Sequence, residues 1–311
     1  MKKNIRTAAM LGGPLEEYLQ YRHTKSTASR YYRDIQNYLG AISEQKAKSA
    51  TYSDIMGYIG QLRKQYNNPE TIKVILQSIK KYYYWLNHTG QRNDHPCRDL
   101  KLKEKTCRDV QLQDLFKPEE LELLMERKER YKGMKVKNQV IISLLIYQGL
   151  TRNDIVSLTL KDIDLEEGEI YIKADTKTNS RTLKLKPNQV MLLYKYINEI
   201  RPKLQPVVAE KRDTLRHESG ALILTKLGTP EKGEGISYLL ETSKHLFPDR
   251  NLTTKTIRQS VIANLLKSGH DLRLVQVFAG HKYPGSTEKY RQTGIEELKA
   301  GIQKYHPLKF G

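Results

Sequence analysis

Four side chains towards the end of this 311-residue chain have types and a spacing suited to work on a phosphate. His281 and Tyr290 stand nine positions apart in "GHKYPGSTEKY", residues 280–290, a stretch whose Gly280, Pro284 and Gly285 otherwise read as a turn. Arg258 precedes His281 by 23 residues, and Lys255 lies three residues before Arg258, on the same face of a helix. A phosphodiester is a poor electrophile because its own charge repels nucleophiles. A guanidinium answers that charge with a planar, permanently cationic fork that binds two oxygens. A tyrosine hydroxyl, with an ordinary pKa of about 10, can act as the nucleophile.

The charge balance agrees with an anionic partner. Lys and Arg number 54 against 35 Asp and Glu, a net charge of +19 that points first to nucleic acid. A membrane surface is the other polyanion, but no apolar run approaches the ~18 residues that would span a bilayer. The opening "MKKNIRTAAMLGG" has basic residues without an apolar core, and reads as a loose basic tail (1–13) on a cytoplasmic protein. Two cysteines, Cys97 and Cys107, make no disulfide framework. His88, His95 and Cys97 lie close together, yet a structural zinc site wants four ligands and no second cluster follows, so helix-end polar residues are the better reading.

The elements that must position the four residues form two groups. Residues 14–97 read as four amphipathic helices with exposed faces rich in Lys, Arg and Tyr. Thr51 and Asp54 are spaced as a capping box, Pro69 opens the fourth helix and Gly90 stops it. Residues 98–114 are basic and without clear periodicity, as in a linker. From 115 onward Pro118 starts a helix, and "NQVIISLLIYQGL" is apolar nearly all round, a buried central helix ending at Gly149. "EIYIKADTKTNSRTLKL" holds two short β-leaning runs around a polar turn, a hairpin. Helical periodicity then resumes to the end. The fold expected is mainly α, with a small helical domain followed by a larger helical domain carrying a β hairpin. Most of the 20 tyrosines, as in "KYYYW", read as packing residues with wet hydroxyls.

The stretch from Arg258 through "LLKSGHDLRLVQVFAGH" to Tyr290 resembles the tyrosine recombinases, the integrase class of site-specific DNA strand exchangers. Their signature is His-x-x-Arg, a helix-turn-helix, Gly-His and then the nucleophilic tyrosine at this spacing. The resemblance covers the whole chain: residues 14–97 look like the family's SAM-like core-binding domain, and 115–311 like its catalytic domain, with the hairpin where that domain carries its strands. It implies that Tyr290 attacks the DNA and holds its 3′-phosphate as a covalent ester. Arg258 would bind the phosphate, His281 would hydrogen-bond it or assist proton movement, and a lysine would protonate the departing 5′-oxygen. Such an ester stores the bond energy, so no metal, ATP or other cofactor is implied. The partners implied are double-stranded DNA sites and three further copies of the chain, a homo-tetramer on paired duplexes, with room for accessory DNA-bending proteins and for a role in a mobile element.

The sequence departs from that pattern in three places. In "YQGLTRNDIVSL" Thr151 stands where the family has its first arginine, and Arg152 comes one residue late, a rotation of about 100° on a helix. Two readings stay open: Thr151 and Asp154 cap a helix while Arg152 is solvated, or Arg152 swings into the phosphate pocket. Lys255 replaces the usual histidine; it still donates to a phosphate but serves less readily as a neutral base. The hairpin lysine, expected shortly before Arg181, is Lys177, with Lys173 the alternative. Two rival functions share this fold or chemistry: a DNA-binding regulator that does not cleave, and a type IB topoisomerase. After Tyr290, Ile295, Leu298 and Ile302 make an apolar stripe that would either fold back or dock on a neighbouring protomer.

Overall fold

The computed structural model describes residues 14–104, 114–129, 131–204 and 220–291. The basic tail, residues 105–113 of the expected linker and the apolar stripe after Tyr290 lie outside the described residues. Contacts divide the chain into two units, Met1–Arg108 and Asp109–Gly311.

The described elements of the first unit are all helices: α1 Leu15–Arg22, α2 Lys25–Ile42, a short α3 Glu44–Ser49, α4 Tyr52–Gln65 and α5 Pro69–His88. Local chemistry sets the boundaries. Thr51 and Asp54 close a reciprocal capping box at α4, and Asn68 caps α5 with Pro69 in the first turn. The latter helix ends at Gly90, whose φ of +69° suits a residue without Cβ. One face of each helix is buried, with Leu19, Ile35, Ile55, Ile59, Ile79 and Leu86 all at 0% exposure. Tyrosines complete the centre: Tyr38 and Tyr83 share a hydrogen bond of 2.6 Å, and Tyr83 donates to the Ala47 carbonyl. Residues 98–104 lie against this unit, because Lys80 donates to the carbonyls of Arg98 and Leu100 and Arg63 pairs with Glu104.

The three candidate metal ligands of this unit take separate partners. His88 bonds Arg22, His95 meets the Lys80 carbonyl, and Cys97 is buried, its thiol pushed up to about 12 by that burial. Among the described residues no group of His, Cys, Asp and Glu could hold a metal ion, and no helix is long and apolar enough to cross a membrane.

The second unit is built around α7, Lys135–Tyr147, preceded by α6, Pro118–Glu122. Val140, Ile141, Ile142, Leu144 and Leu145 are each at most 1% exposed, which accounts for a sequence apolar on every side. Around it follow α8 Arg152–Ser157, then β1 Ile163–Asp164, β2 Glu169–Ile172 and β3 Arg181–Lys184, then α9 Pro187–Lys195. The hairpin expected from sequence is the β2–β3 pair, in register Ile170↔Leu183, and β1 adds a third antiparallel strand on the far side of β2. The chain continues through Tyr196–Ile200 and Arg201–Leu204, still helical, and the later helices are α10 Gly233–Glu241, α11 Thr254–Lys267, α12 Leu272–Ala279 and α13 Gly285–Glu288.

Candidate active site

The site is assembled where the ends of α7, α11 and α12 meet the β2–β3 turn. Helix α7 stops at Gly149, whose φ of +57° turns the chain back; a Cβ there would press on Val261 of α11 at 3.3 Å. Thr151 then caps α8: its hydroxyl accepts from the Asp154 amide, and the Asp154 carboxylate accepts from the Thr151 amide at 2.9 Å. The capping role foreseen for Thr151 and Asp154 is therefore present, and Arg152 is the first residue of α8, exposed to solvent.

Arg258, in the second turn of α11, is held from two directions. One of its terminal nitrogens donates to the Gly149 carbonyl at 2.6 Å, the other to the Ala279 carbonyl at the end of α12. Burial, then the nearby Arg181, lowers its pKa from the usual guanidinium value. Lys255, one turn earlier, is exposed and has no hydrogen-bond or ion-pair partner among the described residues. Thr151, Arg152, Lys255 and Arg258 line one open pocket of about 470 Å³ that faces solvent. Its one carboxylate, Glu241, is paired with Lys244 at 2.7 Å, so the walls are net cationic.

His281 and Tyr290 are brought together beside Arg258 but do not line that pocket. Gly280 ends α12 in the left-handed region, φ +69°, and aims His281 away from the helix axis. The imidazole Nδ1 lies 2.8 Å from the buried Thr287 hydroxyl, and the ring stacks against Tyr290. Burial, assisted by the cations of Arg258, Lys289 and Arg181, pushes the His281 pKa down to about 4, so the ring is neutral at pH 7. Tyr290 is 6% exposed and packs on Ile262, Val275 and Ala279.

The hairpin turn is stitched to the same loop. The Asn179 amide donates to the Gly280 carbonyl at 2.8 Å, Thr178 bridges to His281, and Lys282 donates to the Asp175 and Thr176 carbonyls. Lys177 rides on this turn with its ammonium exposed and unpartnered among the described residues, whereas Lys173 is committed to Asp162 at 3.0 Å.

One neighbour escaped the sequence reading. Arg181 served only to place the hairpin lysine, yet its side chain is 1% exposed, pairs with Asp154 at 3.2 Å and fills the space a Gly280 Cβ would need. It ties the cap of α8 to the His281 loop. The available signal was an arginine on the same face of an alternating strand as the buried Leu183.

Comparison with known proteins gives the family. The phage integrase family matches residues 115–297, and the family's N-terminal SAM-like domain matches residues 15–90. The chain belongs to the phage integrase family, and it is a tyrosine recombinase, an enzyme that cuts and rejoins DNA. Among its relatives, the tyrosine recombinase XerD of Oceanobacillus iheyensis is 29% identical over 287 residues, 91% of this chain and 92% of that protein. The tyrosine recombinase XerC of Lactobacillus delbrueckii subsp. bulgaricus is 25% identical over 243 residues, 77% of each. In fold the chain is similar to the XerH site-specific recombinase bound to palindromic difH substrate, with a TM-score of 0.65 at 17% identity over 88% of this chain and 76% of that one. It is equally similar to a lambda integrase dimer bound to a COC′ core site, with a TM-score of 0.65 at 12% identity over 90% and 93%.

Proposed function

We propose that this chain recombines specific duplex DNA sites, acting in the cytoplasm as a tetramer on two paired duplexes, with Tyr290 as nucleophile and no metal or cofactor. The Tyr290 oxygen attacks the phosphorus, forming a 3′-phosphotyrosyl ester as the bond to the 5′-oxygen breaks. Lys177 gives that oxygen its proton, leaving a free 5′-hydroxyl. Arg258, Arg152 and Lys255 bind the nonbridging oxygens, whose charge grows in the transition state. Neutral His281 hydrogen-bonds the phosphate and takes up the proton that the Tyr290 hydroxyl loses in the attack. In the reverse step a 5′-hydroxyl from the partner duplex attacks the ester, returning the tyrosine proton and closing the exchanged strand.

The convergence of Arg152, Lys255 and Arg258 on one open, net-cationic pocket carries this reading. Tyr290, buried and outside the pocket lining, has to shift towards it when DNA is bound. Residues 14–97 serve as a second DNA-binding domain joined by the basic linker, and the segment beyond Tyr290 links protomers. The test is a duplex nicked just 3′ of the cleavage point, so that the short piece carrying the new 5′-hydroxyl diffuses away and the ester accumulates. A protein–DNA band that survives denaturation is expected; its absence with a bound cognate site would reject cleavage.

A further inference from the structure

Arg152 reaches the pocket from a position one residue off the usual one, and something must aim it. The N-terminus of α10 does so. The Arg152 side chain lies across Gly233, where an added Cβ would stand 2.8 Å from Cδ and 2.9 Å from Nε. Its Nη1 then donates to the Ser237 hydroxyl at 2.9 Å, one turn along the same helix. The Ser237 proton is itself given to the Gly233 carbonyl at 3.1 Å, which fixes the oxygen as the acceptor that Arg152 needs. The start of α10 is anchored in turn, because Glu231 forms a buried pair with Lys137 of α7 at 2.7 Å. With one donor spent on Ser237, the remaining guanidinium N–H groups have no partner among the described residues, and Arg152 lines the same pocket as Arg258 and Lys255.

We propose that Gly233 and Ser237 form a seat that aims Arg152 at the scissile phosphate, and so restore the guanidinium that Thr151 cannot supply. Gly233 is present for its missing side chain: its backbone is not in the left-handed region, and the three atoms nearest an added Cβ all belong to Arg152. Ser237 gives the direction. The inference rests on Arg152 binding the phosphate, and the experiment separates the two ideas.

Single-turnover cleavage of the nicked duplex is measured for the full chain and for Arg152→Ala, Gly233→Ala, Ser237→Ala, Ser237→Thr and the double variant Arg152→Ala/Gly233→Ala, alongside duplex binding and thermal unfolding. Arg152→Ala should slow cleavage about 100-fold, the scale for losing one placed donor. Gly233→Ala should slow it roughly 10-fold or more while binding and melting temperature hold, since alanine suits a helix better than glycine. Ser237→Ala should fall in the same direction and Ser237→Thr, which keeps the hydroxyl, should recover. In the double variant the Gly233 change should add nothing to the loss of Arg152. Normal cleavage by Arg152→Ala overturns the role of Arg152 itself. Impaired Arg152→Ala with wild-type Gly233→Ala overturns the seat alone, as does a Gly233→Ala defect of equal size with and without Arg152.

Discussion

The imidazole of His281 and the ring of Tyr290 lie nearly parallel, 14° apart in plane with centroids separated by 6.3 Å. The Thr287 hydroxyl holds the histidine from one side, and the Thr287 carbonyl accepts from the Tyr290 amide, so one threonine fixes both. Tyr290→Phe keeps the ring and this stack while removing the oxygen. It should bind its site and melt as the parent does, yet give no covalent adduct on a denaturing gel. An adduct formed at the parent rate would exclude Tyr290 as the nucleophile.

Arg258→Ala should slow cleavage by at least ~100-fold. Arg258→Lys should recover little, because one ammonium cannot bond the Gly149 and Ala279 carbonyls with a fork and also present donors to a phosphate. Rates measured well below each variant's melting temperature check both. A lysine variant within a few fold of the parent would make Arg258 a simple point charge.

The hairpin lysine can be tested through the leaving group. Lys177→Ala should cleave an ordinary phosphodiester poorly but act on a substrate whose 5′-bridging oxygen is replaced by sulfur, since a thiolate leaves without a proton. Lys173→Ala should show no such selective rescue, because its ammonium is occupied by Asp162. Selective rescue of Lys173→Ala instead would move the acid to that position.

The buried pair of Arg181 and Asp154, with side chains 1% and 5% exposed, makes a stability prediction. Arg181→Met strands a carboxylate that also holds the Thr151 amide, and should cost about 3–5 kcal/mol in denaturant unfolding. Arg181→Met with Asp154→Leu should recover part of that cost because no unpaired charge remains, though the cap is lost. A single variant as stable as the parent would mean that the pair contributes nothing.

His281 sets a pH dependence whose sign is fixed. Its folded pKa, about 4, lies below the unfolded value near 6.5, so the unfolded chain binds the extra proton first. Its contribution is complete above pH 6.5 and is lost as the pH falls towards 4. His281→Gln should flatten the fall in unfolding free energy across that window by up to about one proton. Parallel curves for parent and variant would show that the ring titrates normally.

Much of this was legible because the signals are local. The Thr51–Asp54 and Thr151–Asp154 boxes, Pro69, Gly90 and the hairpin runs declare themselves within a few residues, and the Arg258–His281–Tyr290 spacing lies in one continuous stretch. What stayed hidden depends on distant partners. Whether Arg152 is solvated or seated turns on Ser237, 85 positions away, and Lys173, unlike Lys177, is held by a carboxylate in another element, Asp162. Arg181 looked like a strand opener because its partner, Asp154, sits 27 residues upstream in another element.

Arg258 closes off two chain reversals at once, taking the carbonyl of Gly149 after α7 and that of Ala279 at the end of α12. Losing it would leave those two carbonyls without a donor among the described residues. In a lineage of copies that had ceased to recombine DNA, relaxed selection would let Tyr290 drift to phenylalanine and Lys177 drift freely, since the fold leans on the tyrosine ring but not on its hydroxyl or on the lysine ammonium. Arg258 would persist longer, maintained by the folding requirement alone. A decayed relative could therefore keep its arginine long after its chemistry had gone, and the tyrosine would be the better witness of a living enzyme.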